Sequence, residues 1–324
     1  MRTNGLRKSC RDAACNAART HAERCFGDCS SDDKEHESER DEGRMTQSTR
    51  SRTRGRGKDN DAELLGKATA IAESYRESDQ QDIANGRKLV MGDLGSDLAA
   101  PVMLADANAE NVMKNVGCDR QTAKVACFAA RNRLAVAMAI EPTVTKDVVE
   151  TTTSLGGEMH GLRYRMKTGA SLARKIADDM LVSDTEPTYE ASQAQAAKTK
   201  DVLRYTSVFP PELLAQGYEK TKQLLLSKGY NEMRCKNFFL RYAQGNAQQK
   251  AIQSVFVTPD GMPFELQFHT LDDLMAKNAS HRLYEKWRLG TTSHLERAVL
   301  GARMYNMYEP VETPEGVRDI KEHG

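Results

Sequence analysis

The chain has 324 residues, 39% hydrophobic and 6% aromatic, with a mean hydropathy of -0.65 and a formal net charge of +1 at pH 7. So low an apolar content excludes a wholly packed globule of this length and points to solvated chain alongside a folded part. A near-zero charge excludes recognition of nucleic acid or membrane by a global field, and, since no segment approaches 18 consecutive apolar residues and no charged-then-apolar pattern precedes a small-residue cleavage site, neither a membrane span nor a general-secretory signal is expected.

Residues 1–60 hold only Leu6 and Phe26 as large apolar residues besides methionines, and carry the polar runs Ser30 to Arg44 and Ser48 to Lys58. Such a segment cannot bury enough surface to offset its ordering entropy, so a disordered tail is expected. Cys10, Cys15, Cys25 and Cys29, with His21 and His36, lack the close CxxC pairs and apolar surroundings of a zinc site. Arg50, Arg52, Arg54 and Arg56 could meet RNA or acidic surfaces, although a solvated tail has the same composition. This polar, Ser/Arg-rich leader resembles the amino termini of bacterial effectors exported by specialised secretion systems.

Residues 61–157 read as a helical subdomain. Leu64, Leu65, Ala68, Ile71 and Ala72 follow the helical period after Asp61, and Val125, Phe128, Ala129, Leu134, Val136 and Ile140 continue it until Pro142, where a break is expected. A further short helix, Thr143 to Leu155, then closes on Gly156 and Gly157. Residues 158–310 alternate helices with strands: a helix over Gly169 to Met180, a polar helix or loop to Lys200, a strand over Val202 to Val208 and a helix from Pro211 to Lys228. Strands near 232–239, 251–257 and 263–269 follow, the last two joined by the turn Pro259-Asp260-Gly261. Helices over 271–289 and 293–307 precede a tail at 311–324. Cys118, Cys127 and Cys235 read as reduced thiols of a cytosol-type protein. The fold class expected is α+β, a mixed sheet flanked by helices.

Chemistry-bearing residues cluster in this second part. Alternation along Phe264 to His269 puts Glu265, Gln267 and His269 on one face, as a catalytic or a merely half-exposed strand would. On the next helix Lys277, His281, Tyr284 and Arg288 share an arc opposite Met275, Ala279, Leu283 and Trp287. Arg163, Arg165 and Lys167 run into a helix whose first turn is Gly169, Ala170 and Ser171, and cations beside unpaired N-terminal amides suit a triphosphate. Asp201 at a strand start, brought near Glu265, is the carboxylate arrangement that holds Mg²⁺ against phosphates.

In this order the segments resemble the RelA/SpoT synthetase domain over about 130 residues, Met159 to Arg288. Arg165-Met166-Lys167 with Ser171 and Lys175 is similar to the family's R-x-K, Ser and Lys pattern that grips the ATP phosphates. Asp201-Val202-Leu203-Arg204 resembles its strand with a magnesium-binding Asp and a following Arg, without the usual glycine. Glu265-Leu266-Gln267-Phe268-His269-Thr270 resembles E-x-Q-x-R-T with His269 in place of Arg, and His281 and Tyr284 fall where the family's helix carries a His and a Tyr/Lys pair.

The resemblance implies a nucleotidyltransferase-like mixed sheet and an ATP-dependent pyrophosphotransferase of the (p)ppGpp or (p)ppApp synthetase kind, stand-alone and without a hydrolase. Asp201 and Glu265 would hold Mg²⁺, and Glu265, Gln267 and His281 with Asp201 would form the catalytic set. Arg165, Lys167, Ser171, Lys175, Arg204, Lys236, Lys250, Lys277 and Tyr284 would bind nucleotide, with ATP as donor. The family's base-stacking Tyr is replaced by the stretch Gln248 to Gln253, which leaves the acceptor open among GDP/GTP, ADP/ATP and an RNA 3′ end. The other readings weighed are a catalytically degenerate nucleotide- or RNA-binding module and, ranked low, an ADP-ribosyltransferase, whose Glu would follow rather than precede Gln267. An effector or toxin without membrane attachment, delivered into a target cell and acting in its cytoplasm, completes the expectation.

Overall fold

The computed structural model describes residues 54–324 apart from 96, 97, 99, 100, 103, 104, 246 and 290, with side chains from residue 63 onward. The tail expectations at Cys10, Cys15, Cys25, Cys29 and Arg50 to Arg52 lie outside the described residues. Two compact units are formed from non-contiguous segments, one by residues 87–238, 251–274 and 313–324, the other by the described residues from 54 to 86 with 239–250 and 275–312.

The larger unit contains a five-stranded mixed sheet built from β1 (Glu158–Met159), β2 (Arg204–Val208), β3 (Asn231–Asn237), β4 (Ile252–Val257) and β5 (Pro263–His269). Its order is β1-β2-β5-β4-β3, parallel between β2 and β5 and antiparallel elsewhere. The fold is therefore α+β, with the mixed sheet flanked by helices. Register sorts the side chains into two faces. One face carries Tyr205, Leu266, Phe268, Ile252 and Phe256, all buried, and ring contacts of Phe264 with Tyr205 (5.9 Å), Tyr230 (5.7 Å) and Phe256 (5.8 Å) hold it together. The other face carries two polar rows: Arg204, Glu265, Val255 and Arg234, then Thr206, Gln267, Gln253 and Lys236.

Helix α3 of this unit (Ala109–Val116) and the 35-residue α4 (Arg120–Ser154) precede α5 (Gly169–Val182), α6 (Tyr189–Lys198) and α7 (Leu214–Ser227). The apolar sheet face meets α4 through Thr145 and Tyr205 hydroxyls (2.8 Å) and Thr152 and Ser207 hydroxyls (2.8 Å), and meets α7 through Tyr218 on Phe268 (5.3 Å). Helix α4 continues without interruption through Pro142, where a break was expected. Each half buries one face, with Val125, Ala126, Ala129 and Ala130 before Pro142 and Val144, Val148 and Thr152 after it. That packing offsets the lost backbone hydrogen bond and ring clash, which cost about 3 kcal/mol in an exposed helix. Residues after 313 close against β3, where Cys235 and His323 exchange backbone hydrogen bonds of 2.9 and 3.1 Å.

In the other unit, α1 (Arg54–Glu73) packs on α10 (His294–Tyr308). Helix α2 (Arg76–Gly92) and helix α9 (Leu271–Trp287) each run from one unit into the other, and α8 (Phe238–Ala243) supplies Tyr242. Tyr242, Ala276, Tyr308 and Val311 form the core here, with Tyr242 stacked on Tyr305 at 4.4 Å. Buried Asp79 accepts two hydrogen bonds from Arg303, whose guanidinium also lies 4.1 Å from the Tyr75 ring centroid.

Candidate active site

Asp201 stands just ahead of β2, and residues 165–167 pair antiparallel with 202–204 through Lys167 N to Val202 O and Arg204 N to Arg165 O, both 2.8 Å. This short ladder sets Lys167 beside Asp201, with Lys167 Nζ donating to Asp201 Oδ2 at 2.6 Å. Burial pushes the Asp201 carboxyl up, but the charges of Lys167, Arg204 and Lys175 outweigh it and hold the group below its ordinary value. Asp201 is therefore an ionised carboxylate set among cations.

Glu265 lies opposite Arg204 on the adjacent strand, and its backbone N–H donates to Leu203 O at 2.9 Å. Its side chain accepts a hydrogen bond from Gln267 Nε2. Further along the same face, Gln267 Oε1 lies 3.4 Å from His269 Nε2, and His269 Nδ1 bonds Asp273. Lys236 is in the Gln267 row, separated from it by Gln253, hence about 10 Å away at two strand spacings. Asp273 went unnoticed in the sequence. It completes a capping box with Thr270, its Oδ2 accepting from Thr270 N (2.6 Å) while Thr270 Oγ1 accepts from Asp273 N (3.2 Å). Thr270-x-x-Asp273 was the signal that could have revealed it.

Other sequence candidates are placed differently. The first turn of α5 was expected to offer unpaired amides, but Ala170 N donates to Ala105 O (3.2 Å) and Ser171 N to Thr168 Oγ1 (3.2 Å). Two donors of that turn are thus taken by the chain itself, and the cations carry more of any anion binding. Ser171 is half-buried there, and Lys175, one turn on, pairs with Asp179 at 3.2 Å. Arg165 is 6% exposed and donates through Nε to Glu141 of α4 and through a terminal nitrogen to Leu162 O (2.8 Å).

The remaining four candidates belong to the other unit. Lys250, 4% exposed, donates to Val311 O and lies 4.5 Å from the Tyr242 ring centroid. On α9, Lys277 is half-buried, His281 is exposed, and Tyr284, 44% exposed, stacks on Trp287 at 6.2 Å. Nine candidates therefore share the sheet-bearing unit: Arg165, Lys167, Ser171, Lys175, Asp201, Arg204, Lys236, Glu265 and Gln267.

No family model matches the chain, and no curated protein matches it. Among solved structures, the complex between the Type VI effector Tas1 and its immunity protein contains a similar chain, with a TM-score of 0.35 and 15% identity over 56% of this chain and 94% of that one. A likeness at this level carries no argument about chemistry.

Among the described residues no cluster of three or more His, Cys, Asp or Glu side chains is arranged to hold a metal ion. Magnesium needs fewer protein ligands, since one or two carboxylates suffice when phosphates and water complete its shell. Asp201 and Glu265 are hard oxygen donors of that kind, and Asp201 is held ionised. No helix among the described residues is long and apolar enough to cross a membrane.

Proposed function

We propose that the chain transfers the β,γ-pyrophosphate of ATP to the 3′-hydroxyl of a nucleotide or an RNA 3′ end. The observation that carries this reading is the ionised Asp201 among Lys167, Arg204 and Lys175, with Glu265 on the neighbouring strand in register with Arg204. In such a transfer the acceptor oxygen attacks the β-phosphorus, the bond from that phosphorus to the α–β bridging oxygen breaks, and AMP leaves. Little covalent chemistry is asked of the protein beyond positioning and charge stabilisation. Lys167, Lys175 and Arg204 would neutralise the transferred phosphates, and Glu265 would accept the hydroxyl proton. Asp201 and Glu265 would hold Mg²⁺, which when bound neutralises phosphate oxygens.

The test is incubation of the full chain with magnesium and γ-labelled ATP together with GDP, GTP, ADP, ATP or RNA. Label should appear on the acceptor with AMP in equal amount and disappear with EDTA; no labelled product with any acceptor overturns the reading. A second reading, a nucleotide- or RNA-binding module without turnover, is favoured by the engagement of Arg165 with Glu141 and of Lys250 with Val311. Tight nucleotide binding that Asp201→Ala leaves unchanged would select it. We also propose that the activity acts in the cytoplasm of a target cell as a delivered effector, on the strength of the polar Ser/Arg-rich leader. Expression inside bacteria should halt growth only when Asp201 is intact.

A further inference from the structure

The polar face of β5 does not end at Gln267. His269, 1% exposed, bonds through Nδ1 to Asp273, which is fully buried. The second oxygen of Asp273 accepts from the backbone N–H and the hydroxyl of Thr270 at 2.6 and 2.9 Å, so the carboxylate is fixed from both sides. A carboxylate only accepts, which places a proton on His269 Nδ1 and turns the Nε2 edge of the ring toward Gln267. There Gln267 Oε1 lies 3.4 Å away, and the opposite end of the same amide donates to Glu265.

A primary amide has one donating and one accepting end, and its neighbours decide which way it points. With Nδ1 committed to Asp273, the contact of Nε2 with a carbonyl oxygen requires the imidazolium form, in which both ring nitrogens donate; that Nε2–H suits the carbonyl end of Gln267 and leaves the NH₂ end for the Glu265 carboxylate. Reversed, the amide would set its carbonyl oxygen against that carboxylate, acceptor against acceptor. We propose that His269 and Asp273 are positioning residues that hold the Gln267 amide with its NH₂ toward Glu265 and thereby orient that carboxylate. The inference rests on the proposed function for the role of Glu265, but the amide orientation itself does not. It also accounts for His269 in this strand: an Arg at the same place could donate both to Asp273 and to the Gln267 carbonyl.

The experiment is a double-mutant cycle on the full chain, combining His269→Leu with Gln267→Leu and including His269→Arg. His269→Leu should lower kcat about tenfold to a hundredfold, the size seen when a supporting partner of a site ligand is removed, with the KM for ATP little changed. The same substitution should cost almost nothing further once Gln267→Leu is present, because both act through one amide. His269→Arg should retain most of the activity. An undiminished His269→Leu loss in the Gln267→Leu background, or an effect on KM alone, overturns the proposal.

A second measurement needs no turnover. The ¹⁵N side-chain amide of Gln267 should give two slowly exchanging protons with shifts displaced from those of an exposed glutamine in the wild type, and a pair moved toward the exposed-glutamine positions and exchanging faster with water in His269→Leu. If the label-transfer assay fails with every acceptor, the proposed function falls while this spectrum still decides the amide's orientation. Asp273→Asn, which keeps an acceptor oxygen for the Thr270 cap, provides the same comparison should His269→Leu not fold. An unchanged Gln267 signal in the folded variant overturns the proposal.

Discussion

Asp201 stands between two opposing pulls, burial favouring its neutral form and three cations favouring its charged one, and the cations prevail. Asp201→Asn is nearly isosteric and removes the charge and one acceptor oxygen while keeping the volume, so it separates the polar role from packing. Transfer should fall on the order of a hundredfold to a thousandfold, the loss typical when one preorganised charge or donor is taken from a transition-state site. The check is kcat/KM beside a melting curve, and a folded variant of wild-type activity would remove Asp201 from the mechanism. Cysteines invite the opposite expectation. Cys118, Cys127 and Cys235 are buried, and burial pushes each thiol up, so little thiolate exists at neutral pH. In a full-length variant with Cys10, Cys15, Cys25 and Cys29 changed to Ser, a thiol reagent at pH 7 should react slowly until denaturant is added, then count three thiols. Fast native reaction would contradict the burial.

Elements were legible where a local rule suffices. The turn Pro259-Asp260-Gly261 works as read, with Gly261 at φ 83° and its N–H bonded to Thr258 O at 2.8 Å. Ser293 caps α10 through a hydrogen bond from Glu296 N at 3.3 Å. Strand β1, two residues long, offers no period to detect, and the continuity of α4 across Pro142 depends on burial that no window of sequence displays. Close packing around Phe209 was equally hidden. A Cβ added at Gly157 would lie 2.6 Å from that ring, and one at Gly217 in α7 would lie 2.7 Å from it. Gly217→Ala therefore sets two effects against each other: alanine gains about 1 kcal/mol of helix propensity, while overpacking a filled core costs about 1–3 kcal/mol. The clash should win, lowering the urea midpoint, whereas Gly→Ala at exposed Gly66 in α1, which meets nothing within 4 Å, should raise it. Equal shifts at the two sites would show that Phe209 yields.

Across the molecule, the alternation that put Glu265, Gln267 and His269 on one face is a property of the strand alone, and the register bears it out. The partners of Arg165 and Lys250, Glu141 and the Val311 carbonyl, lie 24 and 61 residues away, so only the folded chain reveals where those cations point. Buried phenols are the other feature that appears only on folding, and they set the response to alkali. Burial pushes the hydroxyls of Tyr205, Tyr218, Tyr230 and Tyr242 up, while the Asp147 hydrogen bond raises Lys228 and, against burial, Glu232 raises Lys222. In every case the folded protein keeps a proton that the unfolded chain releases at its ordinary value, near pH 10 for Tyr and Lys. Folded chains then bind more protons than unfolded ones, and stability is present below that pH and is lost as pH rises toward the folded values. Urea midpoints should consequently fall steeply above about pH 10. Tyr205 gives the sharpest check, because its hydroxyl is buried against Thr145 at 2.8 Å. Tyr205→Phe should make the slope of unfolding free energy against pH shallower by up to about 1.4 kcal/mol per pH unit, the contribution of one proton. A slope identical to wild type between pH 10 and 11 would mean that the phenol titrates in the folded state as freely as in the unfolded one, and that the apolar face of the sheet admits water at Tyr205.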